Sequence, residues 1–160
     1  MTLEVLELQQ AQYRHDKRNH SDILALHKND RVKHYALHFA KYAARFDGYY
    51  LKNKSQNANA VDAVLVSLSS ANTLMLRLEN TFPHMNRADA VSRFKEAAAM
   101  YCDGAEKIDH GESFWSLIRE ANEKLFDLSW AMLQLHSNDP FQDLLNRRAA
   151  LAERHFYIQD

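Results

Sequence analysis

Cysteine, proline and glycine are almost missing from this chain, which has 1 Cys, 2 Pro and 3 Gly in 160 residues. The single Cys102 excludes an intramolecular disulfide, and without a neighbouring His or a CxxC companion it reads as an inert helical thiol. Strands need turn formers every few residues, so the shortage of Gly and Pro excludes a sheet protein and predicts an all-α fold. No apolar run approaches the roughly 18 residues a membrane span needs, so no membrane partner is expected. Met1 to Gln12 carries Glu4 and Glu7 among its leucines, which does not fit a secretory leader, and the expected location is cytoplasmic. An excess of one charge sign is also lacking. The net charge of −1 gives no global attraction to nucleic acid or anionic lipid. P-loop, dinucleotide, zinc-finger and hydrolase-elbow motifs are all absent.

What the chain does have is apolar residues, 46% of the total, enough to bury a full core in a single all-α domain spanning 1–160. The periodicity predicts a helical bundle of four long helices plus shorter N- and C-terminal ones. A first helix is expected from Leu3 to about Tyr13, followed by a polar segment through Asn19 and a short turn over Asp22 to His27. The long helices are expected from Asn29 or Asp30 to Phe46, Ala60 to about Glu79, Arg87 to Ile108, and after Ser113 to about His136. Asp47 to Asn59 reads as a loop. Asp139 as cap and Pro140 at the first helical position open a last helix to about Phe156.

The strongest chemical signal is Asp127, set among Leu125, Phe126, Leu128, Trp130, Met132 and Leu133. A carboxylate buried without a partner costs several kcal/mol, so it calls for an ion pair, a proton or a metal. Glu123 and Glu120 lie one and two turns earlier, so the three carboxylates fall within about 60° of arc. Apolar residues flank this stripe on both sides, so it is expected to point into the molecule or a cleft. Asp103 and Glu106 on the preceding helix form a weaker acidic set. They would converge with the stripe if the two helices pack antiparallel, and clustered carboxylate oxygens suit Mg²⁺. The competing reading is a solvated face with internal ion pairs.

The second long helix carries the opposite charge. Arg31, His34, His38, Lys41 and Arg45 form one line, opposite Val32, Tyr35, Phe39, Tyr42 and Phe46, with His27 extending it if the helix is continuous there. His34 and His38 have i, i+4 ligand spacing, but their cationic neighbours would repel a metal. Donors of this mix suit phosphate oxygens, and the alternative is that the basic line pairs with the acidic stripe across the bundle interior. Asp62, near the start of its expected helix, reads as a first-turn acid favoured by the helix dipole.

The segment EKLFDLSWAMLQLHSNDPFQDLLNRRAALAERHF, from Glu123 to Phe156, resembles the C-terminal part of the MazG-like all-α nucleoside triphosphate pyrophosphohydrolases. An acidic E-x-x-D-type helix is followed there by an Asp-Pro-type turn and a last helix ending in basic and aromatic residues. VDAVLVSLSSANTLMLRL, Val61 to Leu78, is similar to such a helix too, with Asp62 at the aspartate position, which suggests two diverged helical hairpins in tandem. The resemblance implies a Mg²⁺-dependent enzyme that cleaves an NTP or dNTP to monophosphate and pyrophosphate. Glu123 and Asp127 match the acidic helix, and Asp103 and Glu106 would stand in for the preceding E-x-x-E pair. Lys124 departs from a usual glutamate and Phe126 from a usual glycine, and the first half has His34, His38 and Lys41 where the family has acids.

The leading expectation is therefore a divergent nucleotide pyrophosphohydrolase. Glu120, Glu123 and Asp127, with Asp103 or Glu106, would bind Mg²⁺, and Arg31, His34, His38, Lys41 and Arg45 would neutralise the polyphosphate of a small-molecule nucleotide. The alternative is a non-enzymatic helical interaction module whose two stripes pair. A nucleic-acid-binding bundle is disfavoured by the near-zero net charge, and four long apolar helix faces allow a homodimer.

Overall fold

A computed structural model describes residues 5–79 and 81–154. Its elements are α1 (Val5–Asn19), α2 (Ser21–Ala25), α3 (Lys28–Phe46), α4 (Gln56–Thr73), α5 (Arg87–Asp109), α6 (Trp115–His136) and α7 (Pro140–Arg154), with no strand among the described residues. The all-α expectation holds, and no helix among these residues is long and apolar enough to cross a membrane.

Four helices close a ring: α3 packs on α4 and α5, and α6 packs on the same two. α3 and α6 are thus diagonal partners, and the space between is filled by Phe39, Phe46, Phe94, Tyr101, Leu125 and Met132, each under 2% exposed. The α3–α4 hairpin faces the α5–α6 hairpin. A few buried hydrogen bonds fix the register, including Ser70 with the Tyr101 hydroxyl at 2.7 Å and Asn122 donating to the Ser67 carbonyl at 3.2 Å. Gly104 of α5 lies directly against Ile118 of α6, where a Cβ would collide with the Ile118 side chain.

An outer layer of α1, α2 and α7 covers the ring, with α1 and α7 resting on α4. Its attachment is largely polar. Val5, Leu8 and Leu144 are its fully buried apolar residues, and α2 has none. Gln9 instead donates to the Leu76 carbonyl at 2.9 Å and accepts from the Leu78 amide at 2.9 Å, and Asn72 donates to the Gln9 carbonyl at 3.0 Å.

Three boundaries differ from expectation, each for a local reason. α1 runs on to Asn19 because its inner face continues through Gln12 and Asp16, which are buried but polar and so break the apolar period. α4 starts at Gln56 because the Ser55 hydroxyl accepts from the Ala58 amide at 3.0 Å, so the loop ends before Gln56, Asn57 and Asn59. It stops at Thr73, six residues early, because Met75 adopts φ +53° and the Leu76 amide returns to the Ala71 carbonyl at 2.9 Å. That left-handed stop is held by a methionine, so no glycine announces it. His27 caps α3, accepting from the Asn29 amide at 3.3 Å, and the basic line within the helix begins at Arg31. Asp139 and Pro140 open α7 as expected, with Asp139 accepting from the Gln142 amide at 3.1 Å. The expected end at Phe156 lies outside the described residues.

Candidate functional site

The basic line of α3 does not face α6. It turns toward the outer layer, where His34, His38 and Lys41 line a cavity of about 260 Å³ between α1, α2, α3, α4 and α7. The other two members of the line do other work. Arg45 is buried and donates its Nε–H to the Tyr50 carbonyl at 3.2 Å, bracing the loop after α3, and Arg31 lies outside the cavity lining.

Opposite the line stands Asp62 of α4, 7% exposed. α4 begins six residues before it, so Asp62 lies beyond the first turn and the helix-dipole expectation is corrected. Its partners are cations brought from distant segments. Lys54 reaches it from the loop before α4, and Arg147 of α7 grips it as a fork, Nε to Oδ1 at 2.7 Å and Nη2 to Oδ2 at 3.5 Å. Lys54 and Arg147 both line the cavity beside Lys41.

His34 and His38 contact each other edge to face, ring centroids 4.7 Å apart. Burial, then Lys41 and His34, pushes His38 down to about 3, so its imidazole is neutral at pH 7. The Lys41 ammonium lies 3.3 Å from His38 Nδ1 and has only protons to offer. Nδ1 also lies 3.1 Å from the Tyr42 hydroxyl, and with two donors within reach of it the ring proton is favoured on Nε2. His38 is thus set up as a hydrogen-bond donor through Nε2 rather than as a base at Nδ1. His34 is also lowered, by burial first and Lys41 second, and Lys41 is lowered by burial, Arg45 and Lys54.

Part of the lining is different in kind. Ile23 and Leu24 of α2, Leu65 and Val66 of α4 and Leu151 of α7 make it apolar. Asp16 of α1 enters beside it, accepting from Gln12 Nε2 at 2.8 Å and from the Ser69 hydroxyl at 2.6 Å. Burial dominates over these bonds and pushes Asp16 up to about 6. Arg148 stands behind this part of the lining, donating to Gln12 Oε1 at 2.9 Å.

The acidic stripe of α6 meets the expectation of a cleft only in part, since Glu123 and Asp127 line one with Glu79 and Thr81 while Glu120 does not. Glu120 and Glu123 are exposed, and Glu120 pairs with Lys124 at 2.8 Å. Asp127 alone is half-buried, accepts from the Thr81 hydroxyl, and is raised mainly by burial. The apolar flanks misled because each has its own cover. Leu125 and Met132 belong to the core, while Phe126 and Trp130 lie under Phe82, whose ring centroid is 4.6 Å from that of Trp130. The stripe runs in the gap between these two contacts. Asp103 and Glu106 are exposed on α5, with Glu106 3.8 Å from His110, so the solvated-face alternative describes them. Among the described residues no three His, Cys, Asp or Glu side chains are arranged to hold a metal, and the five expected carboxylates do not gather as one ligand set.

The expected pairing of the two stripes across the interior is corrected as well, because they lie on diagonal helices with the aromatic core between them. No known protein family, characterised protein or solved structure matches this chain. The site is therefore read from its own chemistry. Lys54, Arg147, Asp16 and Ser69 carried no signal strong enough to single them out. Asp62 did carry one: it lies inside Val61, Ala63, Val64 and Leu65 much as Asp127 lies inside its own apolar run.

Proposed function

We propose that this chain binds a small phosphorylated organic molecule in the cavity between the ring and the outer layer. The observation that carries the reading is the convergence of Lys41, Lys54 and Arg147, from three separate segments, on one concave surface that also holds His34 and His38. Cations that meet at a cavity rather than spreading into solvent suit an anion with several acceptor oxygens. The resemblance of the C-terminal segment adds nucleotides as the class to try first.

Thermal unfolding of the purified protein with a panel of nucleotides and sugar phosphates tests this, since a ligand that binds only the folded state raises the midpoint. At least one member is expected to raise it, and Lys41→Gln is expected to weaken that response. A panel without effect at millimolar concentration overturns the reading.

A second reading, the Mg²⁺-dependent pyrophosphohydrolase, is favoured by a separate observation. Glu79, Glu123 and Asp127 line another cavity of about 300 Å³ together with Arg77 and Thr81. Mg²⁺ is commonly held by one or two carboxylates plus substrate phosphates and waters, and there Glu123 and Asp127 would hold it, where it would neutralise a polyphosphate. The two cavities share no lining residue, so the basic line of α3 does not serve a nucleotide held at Asp127. Pyrophosphate release from NTPs and dNTPs with Mg²⁺, lost in Asp127→Asn, is the expected result of this second reading. No release with any of them removes it without touching the first.

A further inference from the structure

The first cavity has charged and apolar parts to its lining and an unbalanced charge, and together these narrow what it takes. Lys41, Lys54 and Arg147 line it, and Arg148 stands behind Gln12, against the carboxylates Asp16 and Asp62. The three lining cations less the two carboxylates leave an excess of one positive charge; behind the lining, Arg148 and Arg45 at the end of α3 add to it, and Asp22, which acts on His34, subtracts. His34 and His38 contribute no charge near neutral pH but do contribute donors. The anchoring of Lys54 and Arg147 on Asp62 holds both cations in place before any ligand arrives, which reduces the ordering cost of binding. One turn on from Asp62 and Arg147, Leu65, Val66 and Leu151 add apolar surface to the lining, with Ile23 and Leu24 of α2. At about 260 Å³ the space is at the small end for organic ligands, so it encloses one ring or a short chain with a single anionic head.

Building on the phosphorylated-ligand reading above, we infer that the cavity takes the dianion of a compact phosphate monoester. Its phosphate lies among Lys41, Lys54, Arg147 and the histidine pair, and its apolar or flat body lies against Ile23, Leu24 and Leu151. A phosphate monoester has a second pKa of about 6, so near pH 8 it brings two charges to this net positive lining. A sulfate monoester of the same shape carries only one. The apolar part of the lining gives an ester an advantage over inorganic phosphate, whose fourth oxygen has no partner there.

Calorimetric titration near pH 8 with phenyl phosphate, phenyl sulfate and inorganic phosphate tests both halves. Phenyl phosphate is expected to bind at least about tenfold more tightly than either of the others. In Lys41→Gln, which removes a cation that makes no ion pair among the described residues, the preference for phenyl phosphate over phenyl sulfate is expected to shrink several-fold. Equal affinity for phenyl phosphate and phenyl sulfate overturns the dianion, and equal affinity for phenyl phosphate and inorganic phosphate overturns the apolar subsite. An undiminished preference in Lys41→Gln overturns the placement of the phosphate. If none of the three binds while a member of the nucleotide panel still raises the melting midpoint, this inference fails and the broader reading stands. If neither set binds, both fail.

Discussion

Asp16 is buried, lines a cavity, and touches no cation directly among the described residues. Its carboxyl is pushed up to about 6 from a usual value near 4, so between those two pH values the folded protein holds a proton that the unfolded chain has released. Stability from this group is therefore full at low pH and declines as pH rises from about 4 to about 6, the reverse of an ion-paired aspartate. A difference of this size corresponds to about 3 kcal/mol in order of magnitude. Asp16→Asn keeps an acceptor for Gln12 and a group for Ser69 to face, while removing the charge. Urea unfolding of both proteins across pH 4 to 7 is expected to show the variant gaining on the parent as pH rises through this window. A stability difference that stays flat with pH would mean that Asp16 is ionised and compensated in the fold. Asp16 and Asp62 also show what a single residue reveals. Asp62 carried a signal that its reading as a first-turn acid passed over, because a carboxylate inside an apolar run demands a partner, and it has two. Asp16 carried none, because its neighbours in sequence are polar and its burial comes from α4 and α7.

The helices were largely legible from their periodicity, and their errors fall where side chains or unusual backbone replaced the usual punctuation. Ser55 and Met75 set both ends of α4, and the polar inner face of α1 concealed half its length. The facing of a charged stripe was harder to read. A line of charges bounded by apolar residues meets the same pattern whether it enters a cavity, as His34, His38 and Lys41 do, or lies in solvent, as Glu120 does in its pair with Lys124. Only the neighbouring helices decide. The contact of α5 with α6 gives a sharper case, since a glycine inside a helix, such as Gly104, is ordinarily a weak point. In the structure it makes room for Ile118, which is itself fully buried and has nowhere to withdraw. Gly104→Ala improves helix propensity by about 1 kcal/mol yet overpacks this crossing at a cost of about 1–3 kcal/mol. Thermal and urea unfolding are expected to show a net loss of stability. A gain would show that α5 and α6 separate more easily than their packing implies.

For the whole molecule, the arrangement of two layers matters more than any one helix. The ring holds nearly all the large buried side chains, and diagonal placement of α3 and α6 keeps the basic and acidic surfaces apart, so each must find its own ligand or solvent. The outer layer is bound by three fully buried apolar residues and a set of amide and guanidinium hydrogen bonds. Segments with so little buried apolar surface open at lower free energy than the core beside them. Backbone amides of α1, α2 and α7 are therefore expected to exchange with deuterated solvent well before those of α4 and α6, through a partial opening that leaves the ring intact. The cavity lies on the seam between the two layers, with Lys41 and Asp62 on one side and Arg147 and Asp16 on the other. A molecule bound there acts as a clasp: phenyl phosphate is expected to slow exchange in α1, α2 and α7 and leave the slowest ring amides unchanged. Slowing spread equally over all seven helices would mean that the two layers open as one, and that the seam is no weaker than the core.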